Sequence, residues 1–129
     1  MAEKINISIV DDDESMREAL VGLMNSHGYS AEAFESGASF LASDHRRRTD
    51  CLIADIQMPG MTGLELLSRL AGAGESLPTI LLTVRPDQGA RAEALRAGVR
   101  CYLSKPFVED DLLACIRSAV AARDPDRGP

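Results

Sequence analysis

A chain of 129 residues that is 45% hydrophobic is sized for one domain with a real core, and is too apolar for a disordered polymer. Its formal net charge of −6 argues against direct nucleic-acid binding, which works by neutralising phosphates with basic residues. No apolar run reaches the ~18 residues that a membrane span needs, and Met1-Ala2-Glu3-Lys4 leads too quickly into three aspartates to be a secretory leader, so a cytoplasmic address is expected.

Apolar runs alternate with helical patterns from end to end. Ile5 to Val10 alternates, closes on two apolar residues and is rich in β-branched side chains, a strand pattern. Residues 14–27 set Met16, Leu20, Leu23, Met24 and His27 at helical spacing, with Asp13 or Glu14 as cap and Gly28 as stop. Tyr29 to Phe34 is a weak second strand, and Ser36 caps a short helix bearing Phe40 and Leu41. The basic run Arg46-Arg47-Arg48 reads as a solvated loop.

Cys51-Leu52-Ile53-Ala54 is a compact apolar strand with Asp55 at its end. Pro59-Gly60 marks a turn, and Thr62 caps a third helix bearing Leu64, Leu67 and Leu70. Thr79 to Thr83 is the fourth strand. Pro86-Asp87 opens an alanine-rich, weakly amphipathic helix that Gly98 ends, expected to pack loosely. Cys101 to Ser104 is the fifth strand, cut off by Lys105-Pro106. The last helix runs from about Val108 to Ala122 on a stripe of Leu112, Leu113, Ile116 and Val120. Glu109, Asp110 and Asp111 crowd its first turn, where the helix dipole favours them.

Such alternation means an α/β fold, a parallel sheet covered on both faces. A domain over residues 1–122 is expected, with 123–129 a disordered end or the start of a linker. The three cysteines, Cys51, Cys101 and Cys115, are odd in number and lack CxxC spacing. Disulfides and a zinc site are therefore not expected.

Sites in open parallel sheets form outside the carboxyl ends of the strands. The first strand ends in Asp11-Asp12-Asp13, the third in Asp55, the fourth in Thr83 and the fifth in Lys105-Pro106. Gathered carboxylates repel one another unless a cation sits among them, and a half-site of carboxylates plus water suits Mg²⁺. Lys105 would offset part of the charge and could meet a phosphoryl oxygen, and the Thr83 hydroxyl could donate beside it. Phosphoryl transfer depends mostly on positioning and charge neutralisation, so Asp55 is a candidate nucleophile for phosphate.

These landmarks, Ile9-Val10-Asp11-Asp12-Asp13, Asp55-Ile56-Gln57-Met58-Pro59-Gly60-Met61-Thr62-Gly63, Thr83, Ala97-Gly98 and Lys105-Pro106-Phe107, resemble the receiver domain of bacterial two-component response regulators from about Ile5 to Ala121. The resemblance implies a flavodoxin-like, doubly wound, five-stranded parallel sheet of order 2-1-3-4-5 with five helices. It implies that Asp55 accepts a phosphoryl group from a phosphohistidine of a sensor histidine kinase. Asp12, Asp55 and the backbone carbonyl of Gln57 would hold Mg²⁺, with Asp11 joining through water. Thr83 and Lys105 would bind phosphoryl oxygens, Tyr102 would be the switch aromatic, and the Lys105-Pro106 peptide would be cis. The face made of the fourth helix, fifth strand and fifth helix would answer phosphorylation, commonly by homodimerisation. The Met-Pro-Gly-Met-Thr-Gly segment looks most like receivers that precede a helix-turn-helix DNA-binding domain; a stand-alone receiver acting by protein contact is the alternative.

Val84 and Arg85 depart from the family pattern, which places a small residue after the threonine. Val84 is stiff and larger, so narrower access to Asp55 is expected; Arg85 and Gln57 flank the same mouth, Arg85 either reaching the phosphoryl group or pointing to solvent, and Pro86 limits the loop. A haloacid-dehalogenase-type phosphatase would need a second aspartate two residues after the nucleophile, and Gln57 stands there and cannot ionise. A flavodoxin-like cofactor binder would want a glycine- and hydroxyl-rich loop after the first strand, where three aspartates stand instead. The reading is thus a signalling domain, not an enzyme.

Overall fold

Strands and helices alternate as the periodicity predicts, and the order of the strands in the sheet decides which residues meet. The computed structural model describes residues 4–123. The leader reading of the first three residues and the tail reading of 124–129 lie outside the described residues. The elements are β1 (Asn6–Val10), α1 (Glu14–Ser26), β2 (Ser30–Phe34), α2 (Gly37–Ala42), β3 (Cys51–Asp55), α3 (Gly63–Gly72), β4 (Thr79–Thr83), α4 (Gln88–Arg96), β5 (Cys101–Ser104) and α5 (Glu109–Arg123). The helix α5 thus runs one residue into the segment read as tail. Asp44–Arg48, read as a loop, winds into a short 3₁₀ helix, and Arg46 pairs with Glu75 at 3.6 Å.

The five strands form one sheet in the order β2-β1-β3-β4-β5, and every pairing is parallel. This is the flavodoxin-like order that the resemblance implied. β3 and β4 are buried at every position, which is why they read as unbroken apolar runs. Alternate residues feed two layers. Ile53, Ile80 and Leu82 pack with Leu20 and Met24 of α1 and Leu112 and Ile116 of α5. Leu52, Ala54 and Leu81 pack with Phe40 of α2, Leu66 and Leu70 of α3, and Ala94 of α4.

Local chemistry sets the helix ends. The Asp13 side chain accepts from the backbone N–H groups of Ser15 and Met16, closing the start of α1. Thr62 and Glu65 exchange hydrogen bonds in a reciprocal capping box, Glu65 N–H to Thr62 Oγ1 at 3.1 Å and Thr62 N–H to Glu65 Oε1 at 2.9 Å. The buried stripe of α3 is Leu66, Leu67 and Leu70. Leu64, expected in that stripe, is only half-buried, because the helix starts at Gly63 with its first turn at the sheet rim. In α4 only Ala94 is buried, in line with its weak amphipathic pattern.

Gly63 lets α3 approach the end of β3. A Cβ there would lie 2.6 Å from the carbonyl oxygen of Asp55, and backbone cannot step aside as a side chain can. Gly63→Ala is expected to cost about 2 kcal/mol of unfolding free energy, the scale of overpacking. A urea midpoint equal to that of the unaltered chain would show that α3 can retreat freely.

The cysteine expectation fails for one pair. Cys101 of β5 and Cys115 of α5 form a disulfide, with Cα atoms 6.1 Å apart. Residue parity and the lack of CxxC spacing say nothing about thiols that helix packing brings together, which is how the two meet. Cys51 remains a buried thiol. Burial, with Asp50 adding to it, pushes its pKa up to about 12, so it is chemically quiet. Thiol titration of the denatured, unreduced protein should find Cys51 alone reactive. With the bonded cysteines 14 positions apart in sequence, reduction should lower stability by about 2 kcal/mol, somewhat under the loop-entropy figure. A reduced protein with an unchanged urea midpoint would remove any stabilising role.

Candidate functional site

The parallel topology carries the C-terminal ends of β1, β3, β4 and β5 to one rim of the sheet. Asp11 follows β1 and is 1% exposed, while Asp55 ends β3 and is 6% exposed. Asp12 is exposed to solvent beside them. Carboxylate oxygens of Asp11, Asp12 and Asp55 all lie within 4.8 Å of one another. From the end of β5, Lys105 reaches in between: its Nζ donates to Asp11 Oδ2 at 2.9 Å and to Asp55 Oδ2 at 3.3 Å. The Lys105-Pro106 peptide is cis, as the resemblance implied.

The backbone holds each group in place. Asp11 Oδ1 accepts from the Asp13 N–H at 2.9 Å, and the Asp11 N–H donates to the Phe34 carbonyl at 3.1 Å. Asp55 Oδ1 accepts from the Gln57 N–H at 3.2 Å. The Lys105 N–H donates to the Thr83 carbonyl at 2.7 Å, which ties the ends of β4 and β5 together. Arg17, which the sequence reading passed over, donates from Nη1 to the Asp11 carbonyl at 2.8 Å. Its signal was its place on the first turn of α1, where a long side chain can turn back to the strand end.

One ammonium stands against three carboxylates at this rim. Burial pushes the Asp55 carboxyl above its ordinary range; the charge of Lys105 pulls it back, and that of Asp11 pushes it up again. For Lys105 burial works downward, but its hydrogen bond to Asp11 and the charges of Asp11 and Asp55 outweigh it and leave the ammonium above its usual value. The donor set is all oxygen, closely spaced and rich in negative charge. That chemistry fits a hard divalent cation, so the acidic cluster can hold a metal.

Thr83 is fully buried. Its hydroxyl donates to Gln57 Oε1 at 2.9 Å and accepts from the Arg85 N–H at 3.0 Å. The Val84 N–H also donates to Gln57 Oε1, at 3.2 Å. Gln57, expected to act through its backbone carbonyl and as a neighbour of the mouth, therefore also engages through its side chain. No local sequence signal pointed to this, since β3 and β4 come together only in the sheet. Val84 is 55% exposed. It lines a shallow depression with Arg85, Gln57 and Met58.

Tyr102 lies apart from the carboxylates. Its hydroxyl accepts from the Asp87 N–H at 3.5 Å, and it lines a cleft of about 630 Å³ with Pro86, Arg91, Leu95 and Ser104. Tyr102 is paired in register with Leu81, and Ser104 with Thr83. Tyr102 and Thr83 thus point to the same side of the sheet, two residues apart in register.

Among the described residues no helix is long and apolar enough to cross a membrane. Comparison with known proteins agrees with the geometry. The sequence pattern of the response regulator receiver domain matches residues 7–117. The chain is 37% identical over 125 residues to the response regulator MprA of Mycobacterium sp. (strain KMS), covering 97% of this chain and 54% of that protein. It is 40% identical over 114 residues to the response regulator protein TodT of Pseudomonas putida, covering 88% of this chain and 50% of that protein. The structure of the response regulator StyR superposes with a TM-score of 0.89 at 34% identity, over 97% of this chain and 63% of that one. The chain thus spans about half the length of the curated relatives it matches. With the family pattern covering most of its length, this chain belongs to the response regulator receiver domain family.

Proposed function

We propose that this domain accepts a phosphoryl group on Asp55 from a phosphohistidine of a sensor histidine kinase, and that it works in two-component signalling. The observation that carries the reading is Lys105 Nζ bonded to both Asp11 and Asp55 at the rim of the sheet. It sets an ammonium beside the one carboxylate that ends a wholly buried strand. In the reaction an Asp55 carboxylate oxygen attacks phosphorus, an acyl phosphate O–P bond forms, and the P–N bond to imidazole breaks. The departing imidazole takes up a proton from solvent. Lys105 exchanges its bond to Asp55 for one to a phosphoryl oxygen, and the Thr83 hydroxyl donates to another.

Asp11, Asp12, Asp55 and the backbone carbonyl of Gln57 are the groups that would hold Mg²⁺. When bound, that ion supplies positive charge to the phosphoryl oxygens. The residue two beyond Asp55 is an amide rather than an acid, so the chain lacks the acid/base group of a haloacid-dehalogenase phosphatase. This supports a signalling domain over an enzyme.

Phosphorylation adds nearly two negative charges at the rim. The reading extends to the face of α4, β5 and α5, with Tyr102 as its switch aromatic and homodimerisation as one outcome. The thin core contribution of α4 supports a movable element. The greater length of MprA and TodT supports an input role within a longer, cytoplasmic transcriptional regulator, with this domain, over residues 1–122, touching the kinase and not the nucleic acid.

Incubation with a small phosphodonor and Mg²⁺ should add one phosphoryl group, read by intact mass. The gain should vanish in Asp55→Asn and without the divalent ion; a gain that persists in Asp55→Asn overturns the assignment. Mg²⁺ should also raise the melting temperature of the unaltered chain and leave that of Asp12→Ala almost unmoved. In chelator the sign of the Asp55 effect follows from its raised pKa. The folded chain holds that proton more tightly than the unfolded one, so stability falls as pH rises from the unfolded value of about 3.9 up through the folded one. Asp55→Asn removes that cost and should raise the urea midpoint at neutral pH; a lowered midpoint would show that its bond to Lys105 outweighs burial.

Val84→Ala should widen the mouth and speed both phosphorylation by small donors and hydrolysis of the acyl phosphate by a few-fold. Equal rates in stopped flow and in decay of the phosphorylated form would dismiss Val84 as a gate.

A further inference from the structure

Two hydrogen-bond donors at the end of β4 converge on one acceptor that belongs to neither metal nor substrate. The Thr83 hydroxyl and the Val84 N–H both donate to Gln57 Oε1, at 2.9 and 3.2 Å. The Thr83 oxygen accepts from the Arg85 N–H, so its one proton has a fixed direction, toward Gln57. A hydroxyl has a single proton to give, and while Gln57 holds it no other acceptor can. Thr83 is fully buried, so water reaches it poorly as a replacement partner, and an unpaired hydroxyl there would be costly. Through its own N–H, Gln57 also holds Asp55 Oδ1 at 3.2 Å. One residue therefore spans the phosphoacceptor and the two donors beside it.

We propose that the Gln57 carboxamide oxygen is an internal stand-in for a phosphoryl oxygen, a positioning residue that occupies the Thr83 and Val84 donors until a phosphoryl group displaces it. The proposal rests on the reading of Asp55 as phosphoacceptor. It assigns the Gln57 side chain a role separate from that of its backbone carbonyl. In the resting domain the amide keeps Thr83 and the start of the following loop in one arrangement. On phosphorylation the donors exchange a neutral carbonyl for an anionic oxygen, a stronger acceptor, and the amide is released toward the depression that Gln57 lines with Val84 and Arg85. The exchange sets a threshold: part of the binding energy of the phosphoryl group is spent on breaking two existing hydrogen bonds.

The test measures binding of beryllofluoride, a non-covalent phosphoryl mimic, to the full chain with Mg²⁺, by titration calorimetry or fluorine NMR. Gln57→Met keeps length and bulk without the acceptor, and Gln57→Ala removes both. Each should bind beryllofluoride more tightly, by roughly 3- to 10-fold, the worth of one or two neutral hydrogen bonds. Their affinity for Mg²⁺ alone should stay as in the unaltered chain, because the backbone carbonyl remains. Equal or weaker beryllofluoride binding in both variants overturns the proposal, as does a gain matched by an equal gain in Mg²⁺ affinity, which would mark a general reshaping of the pocket. If the unaltered chain and both variants bind no beryllofluoride with Mg²⁺ present, the phosphoacceptor reading itself fails, and the stand-in with it.

Discussion

The structure depends on a charge problem at the rim of the sheet. Asp11 and Asp55 are buried, Asp12 stands within ligand distance of both, and a single ammonium, Lys105, is set between two of them. Buried charge of one sign is costly unless it is paired and hydrogen-bonded. The fold answers with fixed partners: the Asp13 N–H on Asp11, the Gln57 N–H on Asp55, and the Lys105 backbone on Thr83. The negative surplus that remains is what a divalent cation and a phosphoryl group would use together. An apolar rim would be more stable and would have no use for either.

The carboxylates are legible in the sequence because the topology is. Once short apolar runs alternate with helical patterns, a parallel sheet follows, and its C-terminal ends collect whatever residues stand there. Asp11, Asp55, Thr83 and Lys105 are each the last residue of a run or the first beyond it, and Asp12 is the next one on, so position along the chain was enough to group them. The helix caps at Asp13 and Thr62 were legible for a similar reason, since their partners lie within three residues.

Interactions between elements distant in sequence were harder to see. The Gln57 amide meets Thr83 across 26 residues of chain. Arg17 turns back onto the Asp11 carbonyl, and only its place on the first turn of α1 hinted at that. Cys101 and Cys115 meet because one face of α5 lies against the sheet edge, and Gly63 is needed for the closeness of α3 to the Asp55 backbone and not for a turn. Leu64 packs only partly buried against the core while Leu66, about 200° round the helix, is fully buried, so the apolar pattern of α3 alone did not single out its buried stripe. The 3₁₀ helix at Asp44–Arg48 is polar and short, and its order comes from Ser43 and Thr49 hydrogen bonds at its ends.

The single buried residue of α4 has an evolutionary consequence. Ala94 is its only fully buried side chain, while Leu95 is 49% exposed and lies at the cleft with Tyr102. Exposed positions tolerate substitution at little cost in stability. The surface of α4 can therefore drift toward new binding partners while the acidic rim, which is locked into the core on β1 and β3, stays unchanged. Under the proposed function, one phosphorylation chemistry could in this way be rewired to different outputs by mutations that never touch the core.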